Sequence, residues 1–313
     1  MDKTNSINNQ ESFAVNKTAK LSWFGFFMAL PPVLVIICFV GAPILIAAGL
    51  SLGFTGGPNR IIALIGQEIS TKTHWWGTLD GYKSVINDPR FGGDLRVTLG
   101  VTVVATTIVI FMALGMAIYR RVIGGRLATI LVSLSLIPLF VPVVISAFAI
   151  RTFYDGTGFV KSLLTHFGID FPTLTMTNSA IAIGTIWTSL PFAILMISSG
   201  LQAIPDALIE SAQDAGASFI RIIYTIMVPL AFVPIVIATT FTAIGIMGSF
   251  TIPYFLGPNQ PAMLGVEITN FFNSYNRPQQ SVVMAFVIFG AASLIAIFYV
   301  WANLRSAKQS GRI

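Results

Sequence analysis

Few residues of this 313-residue chain carry chemistry, and most of those lie in one stretch. Residues 201–230 read LQAIPDALIESAQDAGASFIRIIYTIMVPL, with the acids Asp206, Glu210 and Asp214 set among Ser211, Ala212, Ala215, Gly216, Ala217 and Ser218. The chemistry offered there is contact. Small residues make a knob with almost no side-chain bulk, and one acid, Glu210, projects from it, so the unit can enter a cleft on another protein. Elsewhere, His74 and His166 stand far apart with no carboxylate or cysteine at ligand spacing, which leaves no metal site. No Ser/His/Asp or Cys/His arrangement, no H-E-x-x-H and no G-x-x-x-x-G-K-[ST] loop is present, so no catalytic residue, cofactor or P-loop ATP site is expected.

The elements that must hold the knob follow from its own punctuation. Pro205 suits a first helical position and Asp206 a first turn, where the helix dipole favours an anion. Leu208, Ala212 and Ala215 then share one helical face, with Glu210, Gln213 and Asp214 around the other. Gly216 can end this helix in a left-handed conformation, and Ser218 can cap a second one through Phe219, Ile220, Ile222 and Ile223. An interfacial amphipathic helix would account for the Ile222, Ile223 and Ile226 stripe. A docking element accounts for the small residues and the acid as well.

At 55% hydrophobic and 10% charged, the chain is too apolar for a soluble domain and reads as a membrane protein. Its net charge of +6 comes from isolated Lys and Arg beside apolar runs, which excludes a nucleic-acid surface and fits positive-inside topology. Six spans are expected at about 23–50, 97–119, 128–153, 179–200, 228–256 and 281–301. The first is too long for a signal-peptide core and reads as a retained helix. Residues 1–22 read as a disordered cytoplasmic tail, 23–304 as the membrane domain and 305–313 as a second tail. The segment 51–96, with His74, Trp75 and Trp76, reads as an external excursion.

Six spans put both termini on one side. With the termini inside, the inner pieces hold ten basic residues (Lys3, Lys17, Lys20, Arg120, Arg121, Arg126, Arg221, Arg305, Lys308, Arg312) against five acids (Asp2, Glu11, Asp206, Glu210, Asp214). The 201–230 hairpin then faces the cytoplasm. No span carries a Lys, Asp or Glu near its centre, which disfavours a proton relay. The fifth span is the most broken, punctuated by Pro229, Pro234, Gly245, Gly248 and Pro253. It supplies Thr239, Thr240, Phe241, Ser249 and Tyr254 as candidate walls of a pathway, with Ser135 on the third span. Close helix packing explains the same small and hydroxyl residues.

The hairpin resembles the coupling loop of permease subunits of type I ATP-binding-cassette importers. That family's E-A-A run reads here Glu210, Ser211, Ala212, its glycine is Gly216, and its closing apolar segment with proline is Ile226 to Leu230. Ser211 departs, a small-for-small change. The resemblance covers about residues 80–300, with weaker landmarks at Asp80 to Lys83 and Gly156 to Gly168. The run PYFLGPNQPAMLGVEITNFF and the DAGAS at 214–218 look closer to the polyamine, ferric-iron and phosphonate branch than to the sugar branch. The resemblance implies an all-α polytopic protein with six transmembrane helices and a cytoplasmic coupling hairpin, in a bacterial inner membrane. It implies Glu210, Ser211, Ala212, Asp214, Gly216, Ala217 and Ser218 as the contact to a cytoplasmic ATPase dimer. A second permease subunit, identical or not, and an extracytoplasmic solute-binding protein complete the expected partners. A membrane scaffold recruiting a cytoplasmic partner is the alternative from another class.

Overall fold

The computed structural model describes residues 23–66 and 77–309, so the expected tail at 1–22 and the cluster His74, Trp75, Trp76 lie outside the described residues. The chain forms two compact units, Met1–Gly49 and Leu50–Ile313. In the first, α1 (Trp23–Ile36) runs through Pro31 and Pro32, and a π-turn at Ile37–Gly41 joins it to α2 (Ala42–Ser51), whose last two residues already belong to the second. Phe27, Phe39 and Leu45 along this stretch are exposed, as suits a helix with lipid around it.

The second unit continues with α3 (Asn59–Ile65), α4 (Asp80–Ile86), α5 (Phe91–Val122), α6 (Gly125–Ser135), α7 (Val143–Tyr154), α8 (Phe159–His166) and α9 (Asn178–Gln202). Then come α10 (Asp206–Asp214), α11 (Phe219–Ile222), α12 (Val228–Leu230), α13 (Phe232–Met247), α14 (Thr251–Leu256), α15 (Leu264–Asn273) and α16 (Pro278–Gln309). The described residues are all helix, turn and loop. Four helical stretches are long and apolar enough to cross a membrane by themselves, and two bent pairs raise the number to six.

Both bent pairs fall in spans whose prolines allow a bend, and the structure gives the angles. The third span breaks between a 3-10 turn at Ile137–Phe140 and α7, and its halves turn through 110°. Pro142 is the cause: Val141 before it is extended (φ −104°, ψ 120°), because the proline ring disfavours helical backbone in its predecessor. The fifth span bends by 71° at Ala231, between Pro229 and Pro234, and its helix ends at Met247, short of the expected Leu256. Gly248 closes that helix, and α14 is a separate short one. The second span starts earlier than its apolar run, at Phe91. The sixth helix runs on to Gln309, into the segment expected as a tail from 305.

Helices α5 and α9 form the central pair, with α13 packed on both. Their apolar faces meet in a cluster containing Val109, Ala113 and Ala117 of α5 and Ile194, Ile197 and Leu201 of α9, all nearly inaccessible. A glycine makes the closest approach possible: a Cβ on Gly200 of α9 would stand 2.5 Å from the Pro234 ring of α13. A second cluster joins Val101 and Ala105 to Ile181, Ile246 and Leu256. The third joins Val85 of α4 to Leu264, Phe271, Val283 and Met284 of α15 and α16.

The irregular segment before α15 ends in buried residues, Ala262 and Met263, so the peptide groups there need partners inside the protein. The first turns of α5 supply them. Asp94 Oδ1 accepts from Ala262 N–H at 2.9 Å, and Thr98 Oγ1 accepts from Leu264 N–H at 2.9 Å while donating to the Asp94 carbonyl at 2.7 Å. Nearby, the Arg90 guanidinium lies over the rings of Phe271 and Tyr275, 5.4 and 5.3 Å from their centroids, and bonds Asp88. Burial pushes the Asp88 carboxyl up, but the hydrogen bonds and charge of Arg90 outweigh it and hold the group below the usual carboxylate range. Removing the Asp94 acceptor strands a buried N–H, which costs about 1–3 kcal/mol. Asp94→Leu should therefore lower the thermal midpoint of the purified protein, while Asp94→Asn, which keeps an oxygen acceptor, should retain most of it. A midpoint for Asp94→Leu equal to that of the native protein contradicts this account.

Candidate functional site

The 201–230 stretch folds as helix, tight turn and helix. Helix α10 begins at Asp206, and Pro205 (φ −59°, ψ 136°) precedes it as the cap residue rather than its first member, with its carbonyl accepting from Leu208 N–H. The turn after α10 is a Schellman motif: Ala217 N–H donates to the Ala212 carbonyl at 3.0 Å and Gly216 N–H to the Gln213 carbonyl at 2.8 Å. Closing that motif needs a left-handed residue, and Gly216 has φ +77°. Ser218 stands at the cap of α11 with extended backbone, although its side chain makes no capping bond.

The two sides of this hairpin differ in character. Ile209, Ala212 and Ala217 pack onto the α5–α9 cluster, as do Ile223 and Ile226, while Ile222 and Met227 are buried in it. The inward face of α10 is thus Ile209 and Ala212 and not the expected Leu208, Ala212 and Ala215; Leu208 is 45% exposed and Ala215 faces outward with it. The isoleucine stripe packs on the chain's own helices. Glu210, Ser211, Asp214, Gly216 and Ser218 are exposed, with the Ser211 hydroxyl turned back on the Leu208 carbonyl at 3.2 Å. Within the coupling set, only Ala212 and Ala217 are partly covered.

The entry to α10 is held from α5. Arg121 Nε donates to the Leu201 carbonyl at 3.1 Å, and its Nη2 donates to the Ile204 carbonyl at 2.8 Å and to the Asp206 carboxylate. Its side chain is 17% exposed against 72% for Asp206. Sequence reasoning missed this role and used Arg121 only as a topology charge. The signal lay in its place, the last turn of a long helix beside the loop that opens the hairpin.

The candidate pathway residues do not converge on one site. Ser135 is buried and donates to the Val132 carbonyl, and Thr239 donates to the Ile235 carbonyl. Thr240 is buried on α13, while Phe241 is 56% exposed, with Phe192 and Tyr299 as its ring neighbours. Ser249 lies in the break after α13 with its hydroxyl lacking a protein partner, and Tyr254 on α14 is exposed beside Phe250. An open apolar hollow between α7 and α9 is lined instead by Val141, Ser146, Ala149, Ile150, Phe153, Tyr154 and Trp187.

Comparison with known proteins accounts for this architecture. The family described as binding-protein-dependent transport system inner membrane component matches residues 106–309, well over half of the chain and the whole hairpin. The chain belongs to that family. It is thus a multi-pass inner-membrane permease component of the ATP-binding-cassette type and not itself a catalyst. The permease is 27% identical over 243 residues to the trehalose transport system permease protein SugA of Mycobacterium tuberculosis, covering 75% of this chain and 78% of that protein. It is 26% identical over 226 residues to the spermidine/putrescine transport system permease protein PotB of Escherichia coli, covering 71% and 78%. In fold it is similar to a bacterial ABC transporter involved in the import of the acidic polysaccharide alginate, with a TM-score of 0.71 at 19% identity, covering 91% of this chain and 96% of that one.

The permease's turn makes its own prediction. A side chain at left-handed φ costs about 1–2 kcal/mol, least for Asn. Gly216→Val should therefore speed amide exchange at Ala217 roughly ten-fold, and Gly216→Asn should leave it near the native rate. Equal exchange in the two variants would remove the Schellman turn as the element that shapes the hairpin.

Proposed function

We propose that this permease subunit forms half of the translocation pathway of an importer and receives motion through the hairpin 201–230 from a cytoplasmic ATPase dimer. One observation carries the reading. The hairpin spends its apolar face on the α5–α9 core and leaves Glu210, Ser211, Asp214, Gly216 and Ser218 outward on a backbone shaped by a fixed turn. A surface so small and so firmly backed fits a cleft, and its acid offers a partly desolvated charge to a partner. In this reading the hairpin and both termini are cytoplasmic, in line with the basic residues at the same end, Arg120, Arg126 and Arg221. A second permease subunit, identical or a paralogue, closes the pathway, and a solute-binding protein delivers from outside. Of the six candidate pathway residues, exposed Phe241 and Tyr254 suit a lumen completed by the second subunit, with Ser249 beside them in the chain, whereas Ser135 and Thr239 donate their hydroxyls within their own helices and Thr240 is buried.

The solute is small and polar. A polyamine is favoured by the run at 253–272 and by the similarity to PotB, while the similarity to SugA favours a sugar as the second reading. The permease, purified with its ATPase and supplied with the matching binding protein in vesicles, should take up radiolabelled spermidine when ATP is present inside the ATPase compartment. Uptake of trehalose instead selects the sugar reading. Retention of the ATPase with no ATP-dependent uptake of either solute would count against the substrate assignment. Loss of neither ATPase nor uptake on Gly216→Leu would remove the hairpin as the coupling element.

A further inference from the structure

Arg121 and Arg120 are adjacent at the end of α5, yet the structure treats them differently. Arg120 is exposed, as a charge that only fixes topology would be, whereas Arg121 turns inward over Leu201 and Ile204, which are 0% and 4% exposed. Its guanidinium satisfies two carbonyls at the end of α9 and the Asp206 carboxylate at the start of α10. Three acceptors on two elements are thereby gathered by one planar group anchored in a third. An ammonium cannot present that fork, since it is a single point from which all its donors diverge.

We propose that Arg121 is a positioning residue for coupling: it bolts the entry of the hairpin to the ends of α5 and α9, so that displacement of α10 reaches both spans as one body. The proposal rests on the hairpin being the ATPase contact. The carbonyl bonds do most of the holding, because they lie over buried residues, whereas the Asp206 carboxylate is largely in water and its ion pair is screened there. Without the clamp, α10 keeps its apolar contacts through Ile209 and Ala212, but Leu201 to Pro205 becomes a hinge between it and α9.

The test uses the full chain in lipid nanodiscs with Cys38→Ser and spin labels at Ile123→Cys and Ala207→Cys, both exposed positions, the second on α10 away from the small-residue knob. With Arg121 in place, the distance distribution should be single and narrow. Arg121→Ala should broaden it about two-fold or more, and Arg121→Lys should fall between, since one ammonium reaches fewer of the three acceptors. Asp206→Asn should keep the narrow distribution. Membrane abundance, which a purely structural role would lower, should stay within about two-fold for the Lys variant. A native width in Arg121→Ala overturns the proposal, and if that variant fails to accumulate, a native width in Arg121→Lys does so.

With the ATPase bound, a non-hydrolysable ATP analogue should leave the native distance unchanged and shift it in Arg121→Ala. A nucleotide-dependent shift in the native protein also overturns the one-body claim. Failure of the ATPase to bind the native permease refutes the hairpin reading instead, and the widths measured without it still judge the clamp.

Discussion

Peptide groups that leave a helix at membrane depth must find partners inside the protein, and the rest of this structure depends on how that is met. Two of its spans are broken by proline, one short helix floats between breaks, and an irregular segment of some length precedes α15. Each break exposes carbonyls or N–H groups that hydrocarbon cannot solvate. At the two ends of α5 its own side chains supply such partners, not to the proline breaks but to the segment before α15 and to the loop that opens the hairpin. Asp94 and Thr98 take the N–H groups of Ala262 and Leu264, and Arg121 takes the carbonyls of Leu201 and Ile204.

This makes α5 the spine of the second unit in a sense that packing alone does not convey. Its 32 residues, at 1.5 Å each, span roughly 48 Å, more than a hydrocarbon core requires. The excess places polar residues beyond the apolar run at either end, where they can reach irregular backbone. A span of minimal length would offer no such reach. The same helix thus holds the segment before α15 at one end and the hairpin entry at the other.

Much of the hairpin was legible because its turn chemistry is local. Glycine at φ +77° and small residues around it are dictated by a motif that closes within six residues, Ala212 to Ala217. The inward face was misread by one step, since Leu208 and Ile209 are both apolar and only the partner surface decides which of them turns in. The broken spans were legible as proline and glycine but not as angles, because a proline permits a bend whose size the neighbouring helices set. Asp94 was placed in an external excursion for want of apolar neighbours; that α5 begins at Phe91 follows from packing against α15, which lies some 170 residues away in the chain.

Hydroxyls show most clearly why a pathway cannot be read from composition. Thr102, Thr185, Thr188 and Thr239 all donate to the carbonyl four residues back, so these hydroxyls are consumed within their own helices. A threonine in a span therefore signals polarity that the helix has already absorbed. The informative hydroxyls are those with no such partner, among them Ser146, Ser198, Thr242 and Ser249. They are spread over α7, α9, α13 and the break that follows it, and Ser146 alone of them borders the hollow at Trp187. The chain's own geometry thus defines the hairpin far more tightly than any pathway: the hairpin is held by backbone bonds and one arginine inside one chain, whereas the hydroxyls without partners are scattered over three helices and the break after one of them.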